Sequence, residues 1–407
     1  MLKPIDVRLE LLSANYKRDP WPVLERLHAR GEVVPAKMPI FGDVLLVVSH
    51  AGVTEFLKDK QRFVQNPANA GVSWLSGLQK WMPRTMRAVS NSMITQDDPE
   101  HRRLRGLVDQ AFSRRGVEGL RQRIGVIADR LLDRMQASSQ FDLVEHFSRR
   151  LPLMVIAELL GLPPEDHDQL HTWAQGFVKG TSLTSLAMTV PRLSRMGGYL
   201  RRQIVAARGA PRPGLLRELI AAEAGGDQLN DDELLAMVFL LFFAGHETTT
   251  HLISVGTLTL LQHRETLERA KRDASLWPRT VEELLRHTSV VEMSKPRYAA
   301  EPGNFRGVDL KRGQMMFASL AAANSDPGVF AEPDKFDIDR EPNPHLAFGT
   351  GVHFCLGHQL ARLEGQIALE RLFARYPDVS LAVPEAELSW NTNLGLRGFT
   401  AMPVRLA

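Results

Sequence analysis

Cysteine is nearly absent from this sequence: Cys355 is the only one among 407 residues. A single thiol excludes an intramolecular disulfide framework and fits a reducing compartment. The protein is therefore not a small secreted domain held together by disulfides. The remaining question is what the lone thiol does, and burial in the core is the ordinary answer for a free cysteine.

Long apolar runs are missing as well. The longest one, Leu234 to Gly245, is well short of the ~20 residues that span a bilayer. The N-terminal residues MLKPID are followed by charge and contain no apolar core of a signal peptide. We therefore expect a cytoplasmic protein with no membrane anchor.

The sequence also lacks linkers, repeats and a strong charge imbalance. Length alone would allow about two or three domains, but no Gly/Ser/Pro-rich linker divides the chain, so we predict one domain over residues 1–407. The net charge is only +3, and the scattered arginine pairs are typical of solvated helix faces. No aromatic residues interleave with them, so we expect no nucleic-acid partner, and we expect a monomer.

Helical patterns are what the sequence has in abundance. Apolar residues at helical spacing predict helices over 99–112, 117–135, 151–160, 166–179, 192–208, 214–223 and 358–376. The residues Asn230 to Glu233 form a capping-box pattern that opens a longer apolar helix continuing past His263. That helix would be about 45 Å long and apolar on nearly every side, so it must run through the middle of the protein. Strands are predicted at 44–48, at 315–318 and after Asp378. The fold class is mainly α with a minor, segregated β portion.

The segment around the cysteine is the most informative part of the chain. It reads Phe348-Gly349-Thr350-Gly351-Val352-His353-Phe354-Cys355-Leu356-Gly357. Its three glycines permit a tight loop and a close approach of the backbone to another group. Helical periodicity begins at His358, so the thiol would lie where free N–H groups and the helix dipole lower its pKa. A thiolate at such a position is a nucleophile or a metal ligand.

Two general readings of this thiolate remain open from the residues alone. His345, His353 and His358 surround Cys355 in sequence and suggest zinc, although structural zinc sites rarely contain only one cysteine. A cysteine nucleophile would need a positioned histidine base, and the 13 histidines of the chain do not exclude one.

The pattern F-G-x-G-x-H-x-C-x-G, followed by Leu360-Ala361-Arg362, resembles the cysteine loop of the cytochromes P-450. The resemblance implies the P-450 fold, with haem b between the long central helix and the helix that follows the loop. Cys355 would be the axial ligand of the haem iron, where thiolate donation promotes O–O cleavage. Phe348 would pack under the porphyrin, and His353 would contact a propionate. The loop around Gly349 and Gly357 would direct N–H groups at the sulfur.

The family carries further motifs in a set order, and similar ones occur here. Glu283-Leu284-Leu285-Arg286 resembles the buried Glu-x-x-Arg network that holds the cysteine loop, although such pairs are common on exposed helix faces. Ala244-Gly245-His246-Glu247-Thr248 resembles the oxygen-binding groove, although a kinked helix would show the same residues. Carried over, Thr248 would hydrogen-bond dioxygen or its water, Glu247 would relay protons, and Ala244 and Gly245 would border the haem.

The resemblance also implies which residues would bind the propionates and the substrate. His101 and Arg105 lie one helical turn apart, and with Arg297 and His353 they would supply cationic or hydrogen-bonding partners for two propionates. The expected substrate pocket is mostly apolar, with Glu292 available to polar groups of the substrate. Its predicted members are Met86, Met93, Leu240, Ala244, Val290, Val291, Leu394 and Leu396.

The function implied is a monooxygenase that inserts one atom of O2, by hydroxylation or epoxidation, into a medium or large lipophilic molecule. The chain has no flavin module and no cysteines for an iron–sulfur cluster, so electrons would come from a separate ferredoxin and a ferredoxin reductase using NAD(P)H. Arg102, Arg103 and Arg114 would form the landing surface for an acidic ferredoxin. A peroxide-driven peroxygenase and a non-catalytic haem sensor are the alternatives, and the pair Glu247 and Thr248 argues against both.

Overall fold

Helices make up most of the protein, and its strands are short. The computed structural model describes residues 4–39, 41–72, 87, 90–109, 119–135, 140–174, 183–210, 212–223 and 229–406. In chain order, the helices are α1 Val7–Glu10, α2 Ala14–Arg18, α3 Trp21–Ala29, α4 His50–Lys58, α5 Glu100–Asp109, α6 Arg121–Met135, α7 Arg150–Leu160, α8 His167–Ala174, α9 Leu183–Gly209, α10 Leu215–Glu223, α11 Asp231–Gln262, α12 Arg264–Arg272, α13 Trp277–Thr288, α14 Leu320–Ala323 and α15 His358–Arg375.

The strands lie mainly near the two ends of the chain. They are β1 Ile5–Asp6, β2 Val33–Met38, β3 Gly42–Val47, β4 Phe63–Val64, β5 Gln140–Asp142, β6 Arg297–Ala299, β7 Gly303–Phe305, β8 Val308–Leu310, β9 Met315–Ala318, β10 Ser380–Leu381, β11 Ser389–Trp390, β12 Phe399–Ala401 and β13 Pro403–Arg405. The largest sheet in the described residues has the order β1-β2-β3-β9-β6-β4. Its parallel β3–β9 pair joins the N-terminal hairpin to the segment after α13. The predicted segregated β portion is confirmed.

The central helix α11 begins where the capping box predicted. The Asn230 side chain accepts from the amides of Asp232 and Glu233, and the Glu233 carboxylate accepts from the Asn230 amide, at 2.9–3.0 Å. At 32 residues, α11 is about 48 Å long. It ends at Gln262, so the prediction that it continues past His263 is wrong by a short margin. Within the described residues it is the one helix long and apolar enough to cross a membrane, and 67% of its most apolar window is buried inside the protein, which is typical of a core helix.

Two glycines bring α11 against the helices that carry the sequence motifs. A Cβ on Gly365 of α15 would lie 3.0 Å from the Leu252 side chain of α11. A Cβ on Gly256 of α11 would lie 3.1 Å from Leu284 of α13. Such distances are tighter than ordinary contacts, so the glycines permit close packing of α11, α13 and α15.

Most predicted helices are present, with some different ends. Helix α7 ends at Leu160 because Gly161 adopts a left-handed φ of 77°, as its position predicted. Helix α9 begins at Leu183 and contains Pro191, whereas the prediction began it just after that proline. Proline is disfavoured inside a helix, and the local rule was overridden here. The predicted residues 110–112, 117–118 and 175–179 lie outside the described residues.

Candidate active site

One face of α11 is open in the middle of an otherwise buried helix. The residues before and after this stretch are buried, yet Ala244 is exposed and its neighbours at helical spacing are half-buried. The open face is formed by Leu240, Phe243, Ala244, Glu247 and Thr248. Because residues three and four apart lie on one side of a helix, these side chains form a continuous strip. No described residue covers it.

Two polar side chains lie on this strip. The Thr248 hydroxyl donates to the Ala244 carbonyl at 3.0 Å, and the next threonines, Thr249 and Thr250, make the same backward bond but are buried. Burial raises the pKa of the Glu247 carboxyl, and the Arg149 charge opposes that shift. An acid with a raised pKa beside a hydroxyl is suited to hold and pass on a proton.

Gly245 was predicted to border the haem, but it lies off the strip. A Cβ at this position would point at Ile156 of α7, at an ordinary contact distance of 3.6 Å. Its neighbour Ala244 faces the opening. The two residues differ because successive residues of a helix point about 100° apart. Gly245 contributes its carbonyl to Thr249 and is itself half-buried, so its place beside the haem stays a prediction.

The cysteine loop is a tight, glycine-dependent structure. The Cys355 amide donates to the Phe348 carbonyl at 3.0 Å and closes the loop. Gly349 and Gly351 have left-handed φ values of 65° and 77°. A Cβ on Gly351 would also lie 2.4 Å from the Leu57 carbonyl oxygen, so only glycine fits there. Gly357 follows with φ −84° and directly precedes α15.

The electrostatics of the thiol differ from the prediction. Burial raises the pKa of Cys355 above its usual value, and the Gly357 amide, Arg105 and Arg362 offset this only in part. The prediction of a lowered pKa is wrong, because it considered the helix dipole and free N–H groups at the start of α15 but not the desolvation of the thiol by the surrounding protein. A thiolate in this environment needs a cation bound directly to the sulfur, as a metal ion provides.

The open strip and the cysteine loop approach each other through one contact. Glu364 of α15 lies beside Thr249, which directly follows Thr248 on α11, close enough for Thr249 to oppose the rise in the carboxyl's pKa. His358 begins α15 about 9 Å before Glu364, and Cys355 lies just upstream of it. The thiol and the strip therefore flank the same crossing of two helices.

A cluster of donors lies beside the loop. The rings of His101 and His353 are 4.1 Å apart, and the buried Nε2 atom of His101 has no hydrogen-bond partner among the described residues. Arg105 donates to the Phe354 carbonyl at 2.7 Å and to Asp109 at 2.8 Å, and Arg297 donates to the Phe56 carbonyl at 3.2 Å.

The charges in this cluster repel one another. Burial and then the charges of His101, Arg297 and Arg105 lower the pKa of His353 to about 3, and burial lowers that of Arg297 to about 10. An unused imidazole nitrogen and a buried cation short of negative charge suit carboxylate ligands. The predicted set His101, Arg105, Arg297 and His353 is thus brought together and fits two propionate groups.

Glu283 and Arg286 are fully buried on α13, not exposed as isolated pairs usually are. Arg286 donates to both Glu283 oxygens, at 2.7 and 2.8 Å. Its remaining donors reach the carbonyls of Asn324, Pro333 and Lys335 at 2.8–3.1 Å. Because the Asn324 side chain then accepts from the Leu346 amide at 2.7 Å, the network reaches the start of the cysteine loop.

A second group near the loop was not predicted. Glu282 binds His345 at 2.9 Å and both arms of the Arg362 guanidinium. The other His345 nitrogen accepts from the Ala347 amide, and His358 binds Arg362, so the protein itself occupies these imidazoles. No group of three or more His, Cys, Asp or Glu in the described part of the chain is arranged to hold a metal ion, which weakens the zinc reading. The sequence did offer one signal for this group, which is Arg362 in the triplet Leu360-Ala361-Arg362 after the cysteine loop.

Comparison with known proteins is decisive on the family. A model of the family Cytochrome P450 matches residues 199–387. The polyketide biosynthesis cytochrome P450 PksS of Bacillus subtilis is 38% identical over 97% of this chain and 97% of its own. The chain belongs to the cytochrome P450 family. The mycinamicin IV hydroxylase/epoxidase of Micromonospora griseorubida is 39% identical and covers 92% of both proteins. The structure of myxobacterial CYP267B1 in complex with myristic acid superposes with a TM-score of 0.89 at 36% identity, covering 98% of this chain and 99% of that one.

The fold, the enzyme class and the cofactor follow from membership. This cytochrome P450 is a monooxygenase and binds haem b, which the family holds through a cysteine thiolate. The residues present fit that cofactor, because the half-buried Cys355 thiol is available to bind the iron, and the His101 Nε2 atom, which has no partner among the described residues, suits a carboxylate.

The predicted substrate residues of the P450 divide into several groups. Leu240 and Ala244 lie on the open strip, and Val291 and Leu396 form an isolated β-bridge with half-buried side chains. Leu394 is also half-buried. Met86 lies outside the described residues.

Val290 and Met93 do not lie on an open face. They are only 5% and 6% exposed and belong to the main hydrophobic core. Val290 lies at a bend and packs in the core, whereas Val291, the next residue, forms the bridge with Leu396 and is half-buried. Glu292, which was expected to be available to polar groups of the substrate, is buried and forms an ion pair with Lys17.

The predicted ferredoxin surface is only partly present. Arg102 is 76% exposed on α5 and binds Asp98 at 3.1 Å. Arg103 instead lies between two carboxylates, Glu100 and Glu233, and ties α5 to α11. Its role as a docking residue stays a prediction, and its two ion pairs leave it less available than Arg102. Arg114 lies outside the described residues.

Proposed function

We propose that this cytochrome P450 hydroxylates or epoxidises a medium or large lipophilic molecule, such as a polyketide or fatty-acid derivative. The observation that carries the proposal is the placement of Glu247 and Thr248 on the open strip of α11, beside the helix crossing that leads to Cys355. A haem carrier or sensor has no need of an acid and a hydroxyl at that place.

Cys355 is the residue proposed to bind the haem iron, since it is the only cysteine in the chain. His101, Arg105, Arg297 and His353 would hold the propionates. When bound, the haem supplies the chemistry of O2 activation and oxygen transfer, fed by two electrons. The buried Glu283–Arg286 network keeps the loop in position for this ligand.

Thr248 and Glu247 would manage protons. The Thr248 hydroxyl already donates to the Ala244 carbonyl, so its oxygen is free to accept a hydrogen bond from a water or the substrate on the open side. The raised pKa of Glu247 lets this carboxyl carry a proton inward from solvent and then be recharged. Both side chains lie on the open strip, so a water can connect them.

The substrate class is inferred from the lining and from the relatives. Leu240, Phe243, Ala244 and Val291 offer an apolar surface with few polar groups, which suits a lipophilic ligand. Relatives named for polyketide biosynthesis and for mycinamicin oxidation, and a structure with bound myristic acid, support polyketide and fatty-acid frameworks.

Electrons would come from a separate ferredoxin and its NAD(P)H-dependent reductase. With one cysteine, the chain cannot bind a cysteine-ligated iron–sulfur cluster in addition to the haem. The exposed Arg102 provides a positive charge at which an acidic ferredoxin could dock. Reduction should then slow as salt rises, and Arg102→Glu should slow it without changing substrate affinity.

The test of the function compares Thr248→Ala with Thr250→Ala. Both changes remove a hydroxyl bonded to the carbonyl four residues back, but only Thr248 lies on the open strip. With ferredoxin, reductase and a substrate chosen by spectral shifts, Thr248→Ala should consume NAD(P)H yet convert much of it to hydrogen peroxide. Thr250→Ala should couple like the wild type, and Glu247→Gln should slow turnover itself.

Wild-type coupling in Thr248→Ala would contradict the proton role of this threonine. The substrate proposal has its own measurement, a panel of macrolides, fatty acids and steroids scored by the spectral shift each produces. If none of the polyketides or fatty acids shifts the spectrum, the substrate class is wrong. If the reduced protein with carbon monoxide lacks the absorbance band from which the family takes its name, Cys355 is not the ligand.

A further inference from the structure

The cluster of Glu282, Arg362 and Phe348 lies directly behind the cysteine loop. The Arg362 guanidinium stacks over the Phe348 ring, with its central carbon 4.5 Å from the ring centroid. The Phe348 carbonyl in turn accepts a hydrogen bond from the Cys355 amide, and this bond closes the loop. A cation over an aromatic face is attracted by the ring, so Arg362 holds Phe348 from outside.

Arg362 is itself held in place by several bonds. Its guanidinium binds both oxygens of Glu282, the fork geometry that only arginine makes with a carboxylate. A third donor reaches the His358 ring at 2.8 Å. The His345 Nδ1 atom accepts from the Ala347 amide, so its Nε2–H is the one that donates to Glu282. Burial tends to raise the pKa of Glu282, but its hydrogen bonds with His345 and Arg362 and the charge of Arg362 prevail and hold it at about 2. Glu282 is therefore a permanent anion.

The cation of this pair lies close enough to act on the sulfur. The Arg362 guanidinium stacks on Phe348, whose carbonyl accepts from the Cys355 amide, and it donates to His358, three residues after Cys355. The Arg362 side chain is 27% exposed and Glu282 is 34% exposed, so solvent screens their charges incompletely. Arg362 and Glu282 therefore place two opposite charges side by side in one hydrogen-bonded pair.

We propose that Arg362 and Glu282 form a charge pair that sets the reduction potential of the haem bound by Cys355. The proposal rests on the proposed function, in which Cys355 is the haem ligand. The electron that ferredoxin donates adds one negative charge at the haem. A nearby cation stabilises that charge and raises the potential, whereas a nearby anion lowers it. Arg362 and Glu282 are positioning residues and touch neither substrate nor oxygen.

The experiment is a spectroelectrochemical titration of the purified, haem-loaded protein and its variants. Arg362→Met removes the cation but keeps an apolar stem over Phe348, and it should shift the reduction equilibrium about tenfold toward the oxidised form, which is ~59 mV for one electron. Glu282→Gln removes the anion and should shift it several-fold in the opposite direction. Arg362→Lys keeps the charge and should move the equilibrium less than Arg362→Met does.

Arg371→Met is the matched control. It removes the same charge from the same helix, about 14 Å further along α15. Its guanidinium is 51% exposed and lies 3.7 Å from Asp129, so the potential should remain that of the wild type.

The proposal predicts that Arg362→Met lowers the reduction potential of the haem and that Glu282→Gln raises it. A salt bridge with a merely structural role would instead change the potential in the same direction whichever partner is removed. Shifts in one direction, or shifts no larger than that of Arg371→Met, would overturn the proposal. If Arg362→Met does not load haem, Glu282→Gln and Arg362→Lys decide by the same comparison. A wild type without the thiolate band in carbon monoxide would instead refute the proposed function itself.

Discussion

Two buried ion pairs hold this protein together in different ways. Glu283 and Arg286 lie one helical turn apart on α13, and every nitrogen of the guanidinium donates to a protein oxygen. Lys17 and Glu292 are 275 residues apart in the chain and are equally buried. In this second pair, the Glu292 Oε1 atom has no hydrogen-bond partner among the described residues.

The difference shows how a buried charge can tolerate loss of its partner. Glu283 also accepts from the Asp337 amide at 3.0 Å and from Asn343 at 3.1 Å, so its carboxylate is committed to several elements at once. Burial raises the pKa of Glu292, and the Lys17 charge opposes that shift. Without Lys17, Glu292 can take up a proton and become neutral, whereas Arg286 without Glu283 remains charged.

The largest effect should come from breaking the first pair. Glu283→Ala leaves the buried Arg286 charge without its carboxylate, and Arg286→Ala leaves Glu283 with only the longer contact to Arg340 at 3.4 Å. Breaking such a buried pair from one side costs about 3–5 kcal/mol of folding free energy, a large share of a domain's stability. We expect little haem-loaded protein from either variant, measured as haem per protein after purification. Arg279→Ala is the control, since Arg279 is 57% exposed on the same helix. Normal haem content in both variants would remove the pair from its proposed supporting role.

Breaking the second pair should cost less. Lys17→Met leaves Glu292 able to protonate, so we expect a loss of about 2–3 kcal/mol in urea unfolding. Lys17 also donates to the Leu396 carbonyl at 2.7 Å, and that bond is lost too. The double variant Lys17→Met/Glu292→Met should be more stable than the sum of the single losses predicts. Strict additivity would show that the two charges are not coupled.

A third buried carboxyl, Glu364, forms no ion pair with the described residues and extends the comparison to pH. Burial raises the pKa of Glu364 from 4.5 to about 8, although Thr249 opposes the shift. Between these values the folded protein holds a proton that the unfolded chain releases, so the wild type loses stability as pH rises from 4.5 to 8. Glu364→Gln removes this slope. Its stability relative to the wild type should increase by about 1.4 kcal/mol between pH 6 and pH 7. Parallel pH profiles for the two proteins would show that Glu364 is ionised in the fold.

The smallest effect should come from an exposed pair. Arg123 and Glu158 join α6 to α7 at 3.0 Å, but the Arg123 side chain is 67% exposed. Solvent screens this pair, so Arg123→Ala should change the unfolding free energy by less than about 1 kcal/mol, and salt should reduce the change further. A loss as large as that of Lys17→Met would mean that exposure does not separate the two classes.

Features that depend on neighbouring residues could be predicted from the sequence. The capping box at Asn230, the end of α7 at Gly161 and the strand Met315–Ala318 each follow from a few adjacent residues. The resemblance assigned Thr248, Glu283 and Cys355 to motifs that follow one another along the chain. The structure packs the helices that carry or follow these motifs, α11, α13 and α15, against one another. Local rules succeed there because backbone geometry and side-chain spacing are set within one or two turns.

Burial and long-range pairing were decided only by the tertiary structure. The sequence placed Cys355 at a helix start, yet its pKa is raised, because the protein around it outweighs the local dipole. The partners of Lys17 and Arg103 lie far away in the chain, at Glu292 and Glu233, and no spacing rule connects them. Gly351 must be glycine because the Leu57 carbonyl lies against it. Solvation and packing sum over groups that only the folded chain brings together, so they cannot be derived from adjacent residues.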